Sequence, residues 1–443
     1  MTEQLDLSKN EHPTFRPAVW CGLVLAVLLV RGGVHFLPGT LSDDPDGYRV
    51  LAQNLVEHHC LGAGDNATAY RPPLYPLLVA ACFTLDADGH LTIGILHLLS
   101  GLVTVWLVWR LGVWWGLGRY AALAALIVAV DPLLLMLSTS VMTETVATLL
   151  TCVSLLCLTR AAQRPSAVRL VVAGGCVGLA ILCRPTFLVW AAAVACVIPW
   201  LVCYSRRSGP VALSERIRVF ALFVLSVGIV LVPWIVRNQL QFGKPVIGTT
   251  HGGYTLLLAN NPSFYDYLGR GEWGTVWDAT QFDQAWVDRM TAANLSDEVS
   301  RDQLAYSDGR RTIRERPRMF LYACLVGAGR LWSPLPHQLT PDETMARRMA
   351  RYAVGFWYLA VLSLAALGLI IVLRSILNRE TLPPAWVWGL LLAASFTAVH
   401  AVYWSNIRMR APLMPVVALA AAAAIMRFRA TASSRKVCGR NEL

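Results

Sequence analysis

Charged residues are scarce in this chain: Asp, Glu, Lys and Arg make up 15% of its 443 residues, against 56% hydrophobic. A soluble domain carries about 25% charged residues. The shortfall excludes a soluble enzyme, a disordered chain and a nucleic-acid module. Lysine is nearly missing, with only Lys9, Lys244 and Lys436, so the net charge of +11 comes from arginine. Those arginines sit between apolar runs, which points to a membrane and not to nucleic acid. Metal-ligand spacing is absent as well. None of the 11 cysteines forms a CxxC pair, and most lie inside apolar runs, where cysteine packs as a small hydrophobe. The adjacent His58 and His59 point to different faces, and no histidine pair has helical ligand spacing. No metal or other cofactor is expected. The Gly-rich stretch Gly243–Tyr254 lacks the GxxxxGK[ST] order of a phosphate loop.

Long apolar runs dominate what is there. A membrane span needs roughly 20 apolar residues. Ten segments qualify: 17–37, 90–110, 119–137, 141–159, 168–183, 186–204, 217–236, 352–373, 384–404 and 411–427. The first follows Lys9 and Arg16 with no small-residue cleavage site after it, so an uncleaved span is expected. Two shorter runs, 73–85 and 317–332, are placed in the membrane interface. With a cytoplasmic N-terminus, that choice puts eighteen cations on the inner side against six at the outer ends and short outer loops. Sending 73–85 across would instead turn Arg160, Arg164, Arg169, Arg206, Arg207, Arg216 and Arg218 outward, against the positive-inside rule.

The expected fold is an all-α polytopic membrane protein with about ten transmembrane helices plus interfacial helices. Its parts are a cytoplasmic N-terminus (1–16), a seven-span catalytic module (17–236) with an outer loop at 38–89, an outer-face region with short helices (237–351), a three-span module (352–427) and a basic cytoplasmic tail (428–443).

Ionisable residues collect at the outer ends of the spans. Asp43, Asp44 and Asp46 stand just past the first span, beside Tyr48. Asp-Pro and Asp-Gly are turn dipeptides, but a carboxylate held at the lipid–water boundary is also suited to general-base work. Val50, Leu51 and Leu55, with Ala52 and Val56, have helical spacing, and Gln53, Asn54 and Glu57 fall on the polar side. Arg71 precedes Pro72-Pro73, and its guanidinium is suited to bidentate phosphate binding. Glu144 lies between two apolar runs with almost no loop, and Asp131 precedes it. A carboxylate this close to hydrocarbon is a functional candidate, with helix capping as the alternative. Arg184-Pro185, Arg237-Asn238 and Arg408-Met409-Arg410-Ala411-Pro412 place cations at outer span ends. Together they suggest an anionic ligand at the depth of the outer leaflet. His251 is a possible hydrogen-bonding residue in the Gly-rich stretch.

Taken in order, these motifs resemble the GT-C superfamily of integral-membrane glycosyltransferases. The closest subset is the bacterial relatives of the protein O-mannosyltransferases and aminoarabinose transferases. The carriers are Asp44-Pro45-Asp46-Gly47-Tyr48, Tyr70-Arg71-Pro72-Pro73-Leu74, Thr143-Glu144, Arg184-Pro185-Thr186, Pro233-Trp234 through Arg237-Asn238 to Gly252-Gly253-Tyr254 and Asn260-Asn261-Pro262, and Arg408-Met409-Arg410-Ala411-Pro412. The resemblance implies inverting transfer of a sugar from a polyprenyl-phosphate donor to a protein, lipid or glycan hydroxyl, at the outward face of a bacterial plasma membrane. It implies Asp44, four before Tyr48, as base, with Asp46 beside it and Glu144 in the same site. Arg71, Arg184, Arg237, Arg408 and Arg410 become candidates for the donor phosphate, and Tyr48, His251 and Tyr254 for substrate contacts. The chain departs from the family where Pro45, not Glu, follows Asp44. A transporter or flippase of a lipid-linked or anionic solute, and a non-catalytic assembly protein, are the other readings.

Overall fold

In hydrocarbon every backbone N–H and C=O must be paired within the segment, which leaves helices or closed barrels. The computed structural model takes the first solution. It describes Gly22, Leu25 and residues 27–35, 39–204, 212–270, 277–295, 297–337, 343–378 and 385–438. The expected N-terminus 1–16, about half of the first span and the tail beyond 438 lie outside the described residues.

After the first span come α1 (Tyr48–His58), a small antiparallel hairpin of β1 (Gly62–Ala63) and β2 (Asn66–Ala67), and α2 (Leu74–Phe83). Then follow α3 (His90–Trp114), α4 (Ala121–Ala129), α5 (Pro132–Ser138), α6 (Glu144–Gln163), α7 (Ala167–Cys183), α8 (Phe187–Tyr204) and α9 (Leu213–Phe242). The polar region holds α10 (Gly252–Ala259), α11 (Pro262–Arg270), α12 (Thr280–Ala292), α13 (Glu298–Glu315) and α14 (Pro317–Leu331). The chain returns to long apolar helices with α15 (Met345–Leu377), α16 (Trp386–Val402) and, after a 3-10 turn at Ile407–Leu413, α17 (Met414–Cys438).

Among the described residues, α3, α6, α9, α15 and the stretch Ile407–Arg429 are long and apolar enough to cross a membrane. The pair α4–α5 adds a sixth if it counts as one span bent by 51°. That bend has a local cause. Pro132 opens α5 without an N–H, and the Asp131 carboxylate caps it by accepting from the Leu134 N–H at 3.0 Å. α7 and α16, at 17 residues each, rise only ~26 Å, somewhat short of a bilayer core. The ten residues of α2 rise ~15 Å, too short to cross, and the fifteen of α14 reach ~22 Å. α1 buries Tyr48 and Ala52, with Leu51 and Leu55 packed on the core, while Val50 faces out. Asn54, expected on its polar side, is buried because its amide ties together the turn that follows: it donates to the Cys60 and Gly64 carbonyls and accepts from the Gly64 N–H.

Close helix crossings rest on small residues. On α7, a Cβ at Gly174 would lie 1.9 Å from Ser226 Oγ of α9, and one at Gly178 would lie 2.8 Å from Val230 Cβ. On α15, a Cβ at Gly368 would fall 1.8 Å from the Ala420 carbonyl oxygen of α17. Backbone cannot swing aside as a side chain can, so Gly368→Ala should force the two helices apart. A cost of ~1–3 kcal/mol is expected, read as a lowered melting temperature of the purified protein in detergent. An unchanged melting temperature would show that the crossing tolerates the methyl group.

Candidate functional site

α6 begins, α7 ends, the loop before α1 turns and the 3-10 turn leads into α17 at one end of the bundle. Glu144 sits at the first position of α6, and its carboxylate serves no helix cap. Arg184 closes α7 in an extended conformation (φ −148°, ψ 118°), as a residue before proline must. That geometry carries its side chain back to Glu144, with NH1 2.7 Å from Oε1. Arg408 stands at the start of the 3-10 turn, where the Asn406 side chain caps it by accepting the Arg408 N–H at 3.0 Å. Its Nε lies 2.9 Å from the same Glu144 oxygen, and its NH2 lies 3.1 Å from Asp46 Oδ2. Arg71 completes the chain of charges: NH2 contacts Asp46 Oδ1 at 3.0 Å and Nε donates to the Asp46 carbonyl at 3.2 Å.

These contacts join Arg71, Asp46, Arg408, Glu144 and Arg184 into one network of three guanidiniums and two carboxylates. The Glu144 side chain is fully buried, and that of Asp46 is 12% exposed. Oε1 of Glu144 meets two guanidiniums by proximity of charge, but neither contact is aligned as a hydrogen bond. The cluster keeps one surplus positive charge, and charges act strongly in such a dry place.

The remaining candidates fall around or away from this network. Asp44 contacts no guanidinium; its two oxygens accept the backbone N–H groups of Tyr48 (2.9 Å) and Arg49 (2.7 Å), holding the start of α1. Tyr48 is buried beneath Arg71, its ring edge-on to Tyr75 at 4.9 Å, and burial pushes its phenol above the ordinary range. It supports the site from below. Tyr70, His251 and Tyr254 form a column beside Arg71, with ring centroids 4.3 and 5.6 Å apart, and the Tyr254 hydroxyl donates to Asp283. Among the described residues Nδ1 of His251 is buried without a hydrogen-bond partner. Arg237 is elsewhere: it stacks on Trp234 and donates to the Leu61 and Thr68 carbonyls, tying α9 to the hairpin. Arg410 is turned into the bundle interior, 4.1 Å above the ring of Tyr358. Among the described residues no group of His, Cys, Asp and Glu is arranged to hold a metal.

Several supporting residues carried no sequence signal of their own. Glu298 at the start of α13 accepts from Thr68 Oγ1 (2.7 Å) and the Ala69 N–H (2.6 Å), and the Thr250 N–H donates to the Ala69 carbonyl (3.0 Å). The polar region is thereby clamped onto the loop that presents Arg71. Only the Asn406-x-Arg408 spacing, a capping pattern, could have been read in advance.

The helices and the site define a polytopic α-helical membrane protein with an ion network at one end of its bundle. Residues 70–236 match the family model of dolichyl-phosphate-mannose-protein mannosyltransferases. The match bears out the resemblance to GT-C integral-membrane glycosyltransferases, and the matched stretch contains Arg71, Glu144 and Arg184. No curated protein matches the chain in sequence. Two crystal structures of ArnT from Cupriavidus metallidurans align with 93% of this chain at 16% identity. One is bound to undecaprenyl phosphate and covers 79% of its own chain with a TM-score of 0.44; the other is in the apo state, at 78% and 0.42.

Burial, reinforced by the charge of Arg71, lowers the pKa of His251 from 6.5 to about 3. The folded protein therefore binds fewer protons there than the unfolded chain. The stabilisation is whole above pH 6.5 and is lost as pH falls towards 3. Melting temperatures over that window should fall less steeply for His251→Gln than for the parent; parallel curves would show that His251 is solvated.

Proposed function

We propose that this protein is an inverting membrane glycosyltransferase that moves a sugar from a polyprenyl-phosphate donor to an acceptor hydroxyl at the extracytoplasmic face. The observation that carries this reading is the five-residue network with its single surplus positive charge. A sugar–phosphate–prenyl diester carries one negative charge and would neutralise it. Transfer leaves a phosphate monoester with up to two, and guanidiniums already in place stabilise that growing charge without reorganising. The match of residues 70–236 to enzymes described as using dolichyl-phosphate-mannose supports a lipid-phosphate donor.

In this mechanism Arg71, Arg408 and Arg184 receive the phosphate at the height where a prenyl tail reaches the bundle surface. The acceptor oxygen attacks the anomeric carbon as the carbon–oxygen bond to phosphate breaks, and a carboxylate takes the hydroxyl proton. Asp46 fills that role in this reading because it is the carboxylate that faces Arg71 and Arg408, whereas Asp44 faces the backbone at the start of α1. Glu144 is the buried counter-ion of Arg184 and Arg408. Tyr70, His251 and Tyr254 form a wall for the sugar or its acceptor.

Radiolabelled sugar supplied on a polyprenyl phosphate should move to an acceptor in membranes containing the protein. Label that crosses the bilayer without a new glycosidic bond would instead identify a transporter. Asp46→Asn should lower kcat by roughly 10²–10⁴-fold, the range for a lost general base. Asp44→Asn should cost less than about tenfold, acting through a weakened helix start. The reverse order would return the base to Asp44.

A further inference from the structure

Arg408 and Arg410 stand two residues apart in one 3-10 turn, yet they point to different places. Arg408 joins the ion network, and Arg410 is buried completely. Residues in such a turn are spaced three to a revolution, so positions i and i+2 cannot share a face. Arg410 lies over the ring of Tyr358 of α15, its Cζ 4.1 Å from the centroid, and donates through NH1 to the Leu331 and Ser333 carbonyls at the end of α14. The Tyr358 hydroxyl donates to Asp131 Oδ1 at 2.8 Å and accepts the Leu133 N–H at 2.9 Å. Asp131 also caps α5 through Leu134. Arg410, Tyr358 and Asp131 thus form a continuous strut from the turn, through α15, to the break between α4 and α5. It joins the end of the chain to a stretch nearly 280 residues earlier.

The strut is costly in isolation. Among the described residues Arg410 Nε and NH2 and Asp131 Oδ2 are buried with no hydrogen-bond partner, and unpaired buried polar groups destabilise a fold. Hydrophobic side chains of similar volume would pack there without that penalty. What the strut does supply is direction. A guanidinium held over one ring and hydrogen-bonded to two carbonyls fixes the rotation of the short turn. Two residues earlier, that rotation decides where Arg408 projects.

We infer that Arg410 is a positioning residue: with Tyr358 and Asp131 it holds the 3-10 turn so that Arg408 reaches both Asp46 and Glu144. It acts on the donor phosphate through Arg408 and does not touch it. This rests on the phosphate-binding role given to Arg408 above. The fold also makes the pairing economical, because one turn delivers one arginine to the site and uses its neighbour to aim it.

A double-mutant cycle tests the inference. Binding of undecaprenyl phosphate is measured for the full-length protein, Arg408→Gln, Arg410→Met and the double variant, with a melting curve for each. Arg408→Gln should weaken binding by about tenfold, the scale of one lost charge-assisted contact. Arg410→Met should weaken it similarly in the parent and have no further effect once Arg408 is gone. A merely structural residue, or a direct phosphate ligand, would add its own loss in the Arg408→Gln background, and that result overturns the inference. Tyr358→Phe serves as the second probe if Arg410→Met does not fold, because it keeps the ring under Arg410 and removes only the link to Asp131. Its smaller loss should vanish in the same background, and persistence there also overturns the inference. Unchanged binding in Arg408→Gln alone would take down the phosphate reading itself, a result distinguishable from additive losses.

Discussion

Three guanidiniums share two carboxylates that have almost no water to lean on, and the rest of the site follows from that imbalance. Were the numbers equal, the network would be a closed set of ion pairs with nothing left for a ligand. With Glu144 buried between Arg184 and Arg408, and Asp46 between Arg408 and Arg71, each carboxylate divides its charge between two partners. Removing any member strands another in a dry setting, where an unpaired charge is strongly destabilising. The arrangement is therefore stable only as a whole, and as a whole it favours one further negative charge.

The fold brings this about by collecting helix ends and connecting loops rather than by building a pocket within one element. Arg71 comes from the loop before α2, Glu144 from the start of α6, Arg184 from the end of α7 and Arg408 from the turn before α17. Pro72, Pro185 and Pro412 follow these arginines at one, one and four positions. Each of these arginines lies outside a regular α-helix, so its side chain is free to turn towards the shared carboxylates. The hairpin and α13 hold the loop of Arg71 from outside the bundle, through Glu298 and Arg237. The strut through Tyr358 holds the turn of Arg408 from inside. The loop of Arg71 and the turn of Arg408, which meet at Asp46, are thus fixed by separate devices.

Much of this was legible in the sequence because hydrocarbon permits so few structures. Apolar runs at 90–110, 217–236 and 352–373 each lie within a helix long enough to cross, 141–159 overlaps another, and the ten-residue α2 is too short to do so. The charged residues at span ends were visible one by one, since a carboxylate such as Glu144 next to hydrocarbon demands a partner. Their sorting was not visible. Arg237 and Arg184 both end an apolar run, but one supports a hairpin and the other meets a carboxylate. Arg408 and Arg410 belong to one motif and diverge because the backbone there is helical and not extended, which the short motif does not report. Asp44 has the family spacing to Tyr48, yet the same spacing places it to cap α1, which leaves Asp46 to face the arginines.

The sign of the network's surplus charge is open to measurement as an affinity. Titration of purified Asp46→Asn with undecaprenyl phosphate removes one negative charge from the network while keeping its shape. If the network is an anion site held one charge short of neutrality, Asp46→Asn binds the lipid phosphate more tightly than the parent, and Arg71→Gln binds it more weakly. Equal or weaker binding by Asp46→Asn would contradict the account, because the guanidiniums would then be serving their carboxylates alone.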